Sequence, residues 1–204
     1  MLRSSKQPRT DLPTAPHDPA TASALAALGE PIALFAAFAR RPERAHAIAA
    51  WGRYYFSRQV SLTLRARELI IDRTTALCDA DYEWGVHIAA FAAKADLDDR
   101  QIASLAGGEP SDPCWSDPAD VAVLRAVDEL HATHDLGDAT WQELIAAVGE
   151  EGALDLILVC GWYHAISFAV RALRLGQEPG TPDLAAAGVH STPDVSGQHR
   201  RSHA

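Results

Sequence analysis

Cysteine is scarce and poorly spaced for the chemistries that depend on it. The chain has three, Cys78, Cys114 and Cys160, an odd number with no CxxC pair, which excludes a disulfide framework and gives no zinc-type spacing. Positive charge is also short: 18 Lys and Arg stand against 27 Asp and Glu, a formal charge of −9. With no basic stripe to displace counterions from phosphates, nucleic acid is not an expected partner. No apolar run approaches the ~18 residues of a membrane helix. The opening MLRSSKQPRTDLPTAPHDPA lacks the apolar core of a secretory signal. No membrane partner is expected, and the expected location is the cytoplasm. Internal repeats and a glycine-rich phosphate loop are missing too.

What remains is a chain of 204 residues that is 48% apolar, enough for one domain with a good core. Residues 1–20 are proline-rich and poor in large apolar side chains, so a disordered arm is expected there. A single helical domain spans 21–176, and the Pro, Gly, Ser and His content of 177–204 predicts a disordered tail. Within the domain, Ala22–Leu28 forms a short helix stopped by Gly29, and Pro31 opens Ile32–Ala39. Pro42 starts a helix to about Phe56, in which Trp51, Tyr54 and Tyr55 recur at helical spacing. Asp98 and Gln101 form a capping box for a helix ended by Gly107 and Gly108. Asp117 caps a helix from Pro118 to about His131. Asp138 caps another to Val148, Gly149 breaks it, and the apolar stretch Ala153–Leu173 is the longest helix, closed by Gly176.

The chemically capable residues concentrate between Arg65 and Leu105. Glu68 sits among Leu62, Leu69, Ile70 and Ile71, a carboxylate at the edge of a face that should be buried. After Asp79, an expected N-cap, a second helix carries Tyr82, Glu83, Trp84 and His87. Glu83 and His87, four apart, project within about 40° of each other on a helix. A carboxylate beside an imidazole orients the ring and raises its pKa, as a proton-transfer pair requires. Elsewhere the polar residues read as structural. His131 and His134 supply too few ligands for a metal. Cys114 and Trp115 lie in a loop, and Tyr163 and His164 interrupt the last helix, where they need hydrogen-bond partners.

Glu68, then Tyr82-Glu83-Trp84 with His87, then the Ala-rich turn into Leu97-Asp98-Asp99-Arg100-Gln101-Ile102, resemble the carboxymuconolactone decarboxylase family, which shares its all-helical fold with alkylhydroperoxidase D. The resemblance covers about Ser61 to Leu105, with a looser match from Leu154 to Leu173. It implies an all-α, alkylhydroperoxidase D-like helical bundle that assembles as a homo-oligomer, a trimer or hexamer. In the peroxidase branch a Glu precedes a His by nineteen residues, with redox cysteines seven and four before the His. Glu68 and His87 keep that spacing, but the cysteine positions fall on Ala80 and Glu83.

The leading expectation is therefore a cofactor-free acid/base enzyme acting on a small organic acid or lactone. His87 moves the proton, Glu83 orients and tunes it, and Glu68 is a second carboxylate. Tyr54, Tyr82, Trp84 and Cys78 are the expected substrate contacts, and no metal is expected. One alternative is a peroxidase-like oxidoreductase that uses Cys78 as a single reactive thiol. A third is a non-catalytic oligomeric binding protein.

Overall fold

The structure, a computed structural model, describes residues 7–29 and 31–188. The outermost parts of the expected arm and tail, 1–6 and 189–204, lie outside the described residues. Eight helices and no strand are found among the described residues: α1 (Pro19–Leu28), α2 (Ala33–Ala39), α3 (Pro42–Tyr55), α4 (Leu64–Leu77), α5 (Asp81–Phe91), α6 (Asp99–Gly107), α7 (Pro118–Thr133) and α8 (Asp138–Leu173).

Helix α4 is the axis of the molecule. Its N-cap Thr63 accepts the amide of Ala66, and every residue from Ala66 to Ala76 is buried as it packs against α5, α6, α7 and α8. A helix buried all round is a core helix, yet this one carries Arg67, Glu68, Asp72 and Arg73. Burying such groups is tolerated only with partners. Arg73 finds both oxygens of Asp128 on α7, at 2.6 and 2.8 Å. Nearer the start of the helix, Arg65 bonds Asp120 at 2.8 and 2.9 Å.

Helices α1, α2 and α3 pack on one another over a small cluster of Ala24, Leu25, Ala39 and Ala45. They form a layer laid against α5 and α8. Asp155 of α8 stitches the layer down, accepting the Tyr54 hydroxyl and the Ser61 amide, each at 2.7 Å.

Several boundaries differ from expectation for local reasons. Asp79 does not cap α5. It adopts a left-handed conformation (φ 51°), and the amides of Asp79 and Ala80 return to the carbonyls of Ala76 and Thr75. That pairing is the Schellman ending of α4, and α5 starts from Ala80 without a side-chain cap. Asp138 is the first helical residue of α8 and not its cap, which is Gly137. The helix is closed by Arg174 (φ 56°), ahead of Gly176. Gly149 breaks α8 as expected, at φ 77° and ψ 169°. The expected box of Asp98 and Gln101 on α6 is present in both directions. Helix α1 begins at Pro19, inside the expected arm, with Asp18 capping it.

Residues 177–188 are a further correction. Instead of a loose tail they form a strap across the start of α5: Gln177 and Leu184 bond Asp81, while Glu178 accepts the Tyr82 hydroxyl and the Ala33 amide, both at 2.6 Å. The strap passes so close to α5 that a Cβ on Gly85 would collide with the carbonyl oxygen of Pro182. Composition missed this because the contacts are made by polar side chains and backbone, not by an apolar run. Helix α8 also differs from expectation. It is long and apolar enough to cross a membrane by length and composition, with mean hydropathy 1.6 over its most apolar window, and half of that window is buried inside this fold.

Candidate active site

Glu83 and His87 occupy one face of α5, one turn apart, and both are 5% exposed. That face looks across to α4, where Glu68 is fully buried, and to Tyr163 on α8. The imidazole is held at both ends. Its Nδ1 lies 2.8 Å from Glu68 Oε2. Its Nε2 lies 3.1 Å from the Tyr163 hydroxyl and 3.6 Å from Glu83 Oε1. Arg67 completes the set, donating from Nε to Glu68 Oε1 at 3.1 Å and from Nη1 to the Tyr55 carbonyl at 2.9 Å. Its guanidinium lies over the ring of Phe56, 4.6 Å from the centroid.

Burial by itself would strip the proton from His87. Its hydrogen bond to Glu68 and the close approach of Glu83, with the charges of both, outweigh burial and push its pKa up to about 10. At neutral pH the ring is an imidazolium, donating from Nδ1 to Glu68 and from Nε2 to Tyr163. Burial and then the charges of Glu83 and Glu68 hold the Tyr163 phenol well above its ordinary range. Tyr163 is thus a neutral hydroxyl that accepts from His87 and keeps its own proton to donate.

Asp72, one turn after Glu68 on α4, is also buried, and burial followed by the Glu68 charge raises its pKa well above the ordinary carboxyl value. Neither of its oxygens has a hydrogen-bond partner among the described residues. A neutral acid is the form such a site accepts. Two carboxylates, Glu68 and Glu83, then stand against two cations, His87 and Arg67, and the buried cluster is balanced.

A cavity of about 550 Å³ opens against this cluster, in the seam between the α1–α3 layer and helices α5 and α8. Its walls are mostly apolar, with Leu34, Phe35 and Phe38 from α2 and Val86, Phe91 and Ile166 opposite. Glu83, His87 and Tyr163 supply polar wall, and Arg53 and Phe56, both exposed, mark its edge at the surface. One detail sets the chemistry. Glu83 Oε2 is buried and has no partner among the described residues.

No family model, curated protein or solved structure matches the chain.

The three expected catalytic residues converge, with one change of role. Glu68 stands behind His87 and is not on the cavity wall, so it is the residue that orients the ring, whereas Glu83 is the carboxylate facing the cavity. The four expected substrate contacts are not on that wall. Tyr54 is tied to Asp155 and Tyr82 to Glu178. Trp84 is packed into the core. Cys78 ends α4 away from the cavity, and burial pushes its thiol up, the opposite of what a nucleophilic thiolate needs.

Sequence reasoning missed Tyr163, Asp72 and Arg67. Tyr163 gave a partial signal as a hydroxyl in an apolar helix. Asp72 follows Glu68 by four on a helix whose neighbours are apolar, a spacing that puts both acids on one face.

Glu68, Asp72 and His87 bring one possible metal-ligand atom each within 4.8 Å of one another, all buried. An ion there would have to displace the Nδ1 proton that binds His87 to Glu68. As it stands the cluster is a proton-sharing network.

Proposed function

We propose that this chain is an acid/base enzyme of the carboxymuconolactone decarboxylase kind, built on an alkylhydroperoxidase D-like bundle. Its substrate is a small organic acid or lactone with a mostly apolar body. The observation that carries this reading is Glu83 on the cavity wall, a carboxylate with one buried oxygen that has no hydrogen-bond partner among the described residues, beside a hydroxyl that an imidazolium polarises.

In this reading Glu83 takes the proton from carbon, or receives the acidic hydrogen of the substrate. The Tyr163 hydroxyl donates to the substrate carbonyl oxygen as negative charge develops there. His87, hydrogen-bonded to the phenol oxygen, makes that hydroxyl a better donor, and Glu68 with Arg67 holds His87 charged and in place. A substrate carbonyl or lactone is required as the electron sink, because the side chains supply proton transfer and charge stabilisation. The reaction passes through an enolate. In isomerisation Glu83 removes the proton from the carbon beside the carbonyl and returns it elsewhere. In decarboxylation Glu83 takes the carboxyl proton, CO2 leaves with its bonding electrons passing to the carbonyl sink, and Glu83 returns the proton to that carbon. The apolar wall supports a substrate whose non-reacting part is hydrocarbon.

The test is deuterium wash-in, followed by NMR, on a panel of enolisable lactones and keto acids. The wild-type chain is expected to exchange or decarboxylate at least one of them. Glu83→Gln is expected to lower that rate by more than ~10³-fold, in the range of a lost general base, with its melting temperature close to wild type. Equal rates in the two proteins remove Glu83 from the chemistry and the proposal with it.

We further propose that the chain works as a homo-oligomer. On α8 the exposed residues Leu154, Leu158, Gly161, Ala165, Phe168 and Ala172 follow alternating steps of four and three. That heptad stripe is the pattern of a helix–helix seam, and Phe168 is 65% exposed.

A further inference from the structure

At the C-terminal end of α4, outside the cavity lining, three helices bring a thiol and two imidazoles together. Cys78 ends α4, His131 lies in the last turn of α7, and His164 is on α8. One possible metal-ligand atom from each lies within 4.8 Å of the other two. His131 Nδ1 and His164 Nε2 are 3.0 Å apart, with the rings stacked 28° from parallel. The other nitrogen of His164, Nδ1, lies 2.8 Å from the Cys160 carbonyl. A carbonyl can only accept, so Nδ1 carries the proton and Nε2 is a lone pair that accepts from His131 Nδ1. A backbone carbonyl fixing the tautomer is the usual support of a metal-bound histidine.

We propose that Cys78, His131 and His164 form a zinc site. Thiolate plus two imidazoles is a donor set zinc takes readily, with Zn–S about 2.3 Å and Zn–N about 2.0–2.1 Å. Tetrahedral bonds of those lengths set the ligand atoms about 3.3–3.6 Å apart, so small side-chain movements close the site. Binding releases the Cys78 thiol proton to solvent, and the proton that His131 Nδ1 donates to His164 Nε2 passes through solvent to the other nitrogen of the His131 ring, freeing Nδ1 for the ion. Both histidines are partly exposed, which gives the ion a path in and leaves its fourth position to water. The ion would clamp α4, α7 and α8 together one residue from Tyr163, bracing the helices that hold the acid/base cluster. The chain offered no linear signal for this site: the ligands are 53 and 33 residues apart in sequence, and His134, the neighbour that makes an obvious pair with His131, is not part of it.

The test uses the full chain stripped with a chelator and titrated with Zn²⁺, then with Co²⁺ as a spectroscopic stand-in. One ion per chain is expected, with a thiolate-to-cobalt charge-transfer band and a rise in melting temperature. Cys78→Ser should abolish the band. His131→Gln, at a partly exposed position where folding is not at risk, should weaken zinc binding by more than the ~10–100-fold that a supporting residue accounts for. Cys114→Ser should change neither. The proposal is overturned if no ion is held at equimolar zinc. It is equally overturned if the cobalt spectrum lacks a thiolate band and Glu68→Gln, rather than His131→Gln, removes binding, since the ion then sits in the acid/base cluster.

Discussion

Tyr163 and His87 illustrate how strongly neighbours decide the role of a side chain. In water an imidazole is mostly neutral at pH 7 and a phenol is a weak donor. Here the glutamates make the ring a cation and the ring makes the phenol a directed donor. Tyr163→Phe is therefore expected to lower kcat by about 10²–10³-fold, the loss of one oxyanion donor, while KM stays close to wild type. Steady-state kinetics on the substrate found by deuterium exchange checks this. The pH dependence follows from the sign of the His87 shift. Its folded pKa is raised from 6.5 to about 10, so its contribution to stability is complete below 6.5 and is lost as pH rises through about 10. Both turnover and melting temperature should fall on that alkaline limb, and a turnover limb near 6.5 would contradict the imidazolium assignment. Asp72 is raised too, from 3.8. The fold is favoured by it at low pH and loses that benefit as pH climbs towards its folded value. Asp72→Asn should then raise the melting temperature, by more at neutral than at acid pH, as calorimetry across the range would show.

At the scale of elements, the strap over α5 is the part with most to lose from a small change. Gly85 is required because Pro182 leaves no room for a Cβ. Gly85→Ala should cost about 1–3 kcal/mol, as overpacking does, and should lift the strap. Urea unfolding measures the first effect. Limited proteolysis measures the second, with new cleavage between residues 177 and 188 expected in the variant alone. Helix periodicity made α4 and α5 legible, as well as the break at Gly149, because each depends on residues within a turn or two. The ending of α4 at Asp79 was not legible. An Asp next to an apolar run serves equally as the cap of the following helix or the left-handed residue of the preceding one, and the choice is made by whether Ala80 can reach Thr75.

For the whole molecule, the cavity exists because three short N-terminal helices are laid over α5 and α8 without filling the seam. Its walls come from five helices, and no spacing rule joins Phe38 to Ile166. The exposed stripe on α8 points outward and belongs to the same scale. Phe168→Glu should convert an oligomer into monomers in light scattering coupled to gel filtration, with a melting temperature no longer dependent on concentration. A wild-type chain that is monomeric at micromolar concentration would remove that proposal and leave the site chemistry untouched.

The linear pattern was sufficient for the all-helical class, for most helix positions and for the pairing of Glu83 with His87, because those properties arise within four residues of each other. Packing alone decided that Glu68 stands behind the ring and Glu83 before it, and that Tyr163 joins them while Tyr54, Tyr82, Trp84 and Cys78 do not. Ionisation and access depend on which groups meet across helices and on how much water is left between them, and neither is written in the order of residues along one helix.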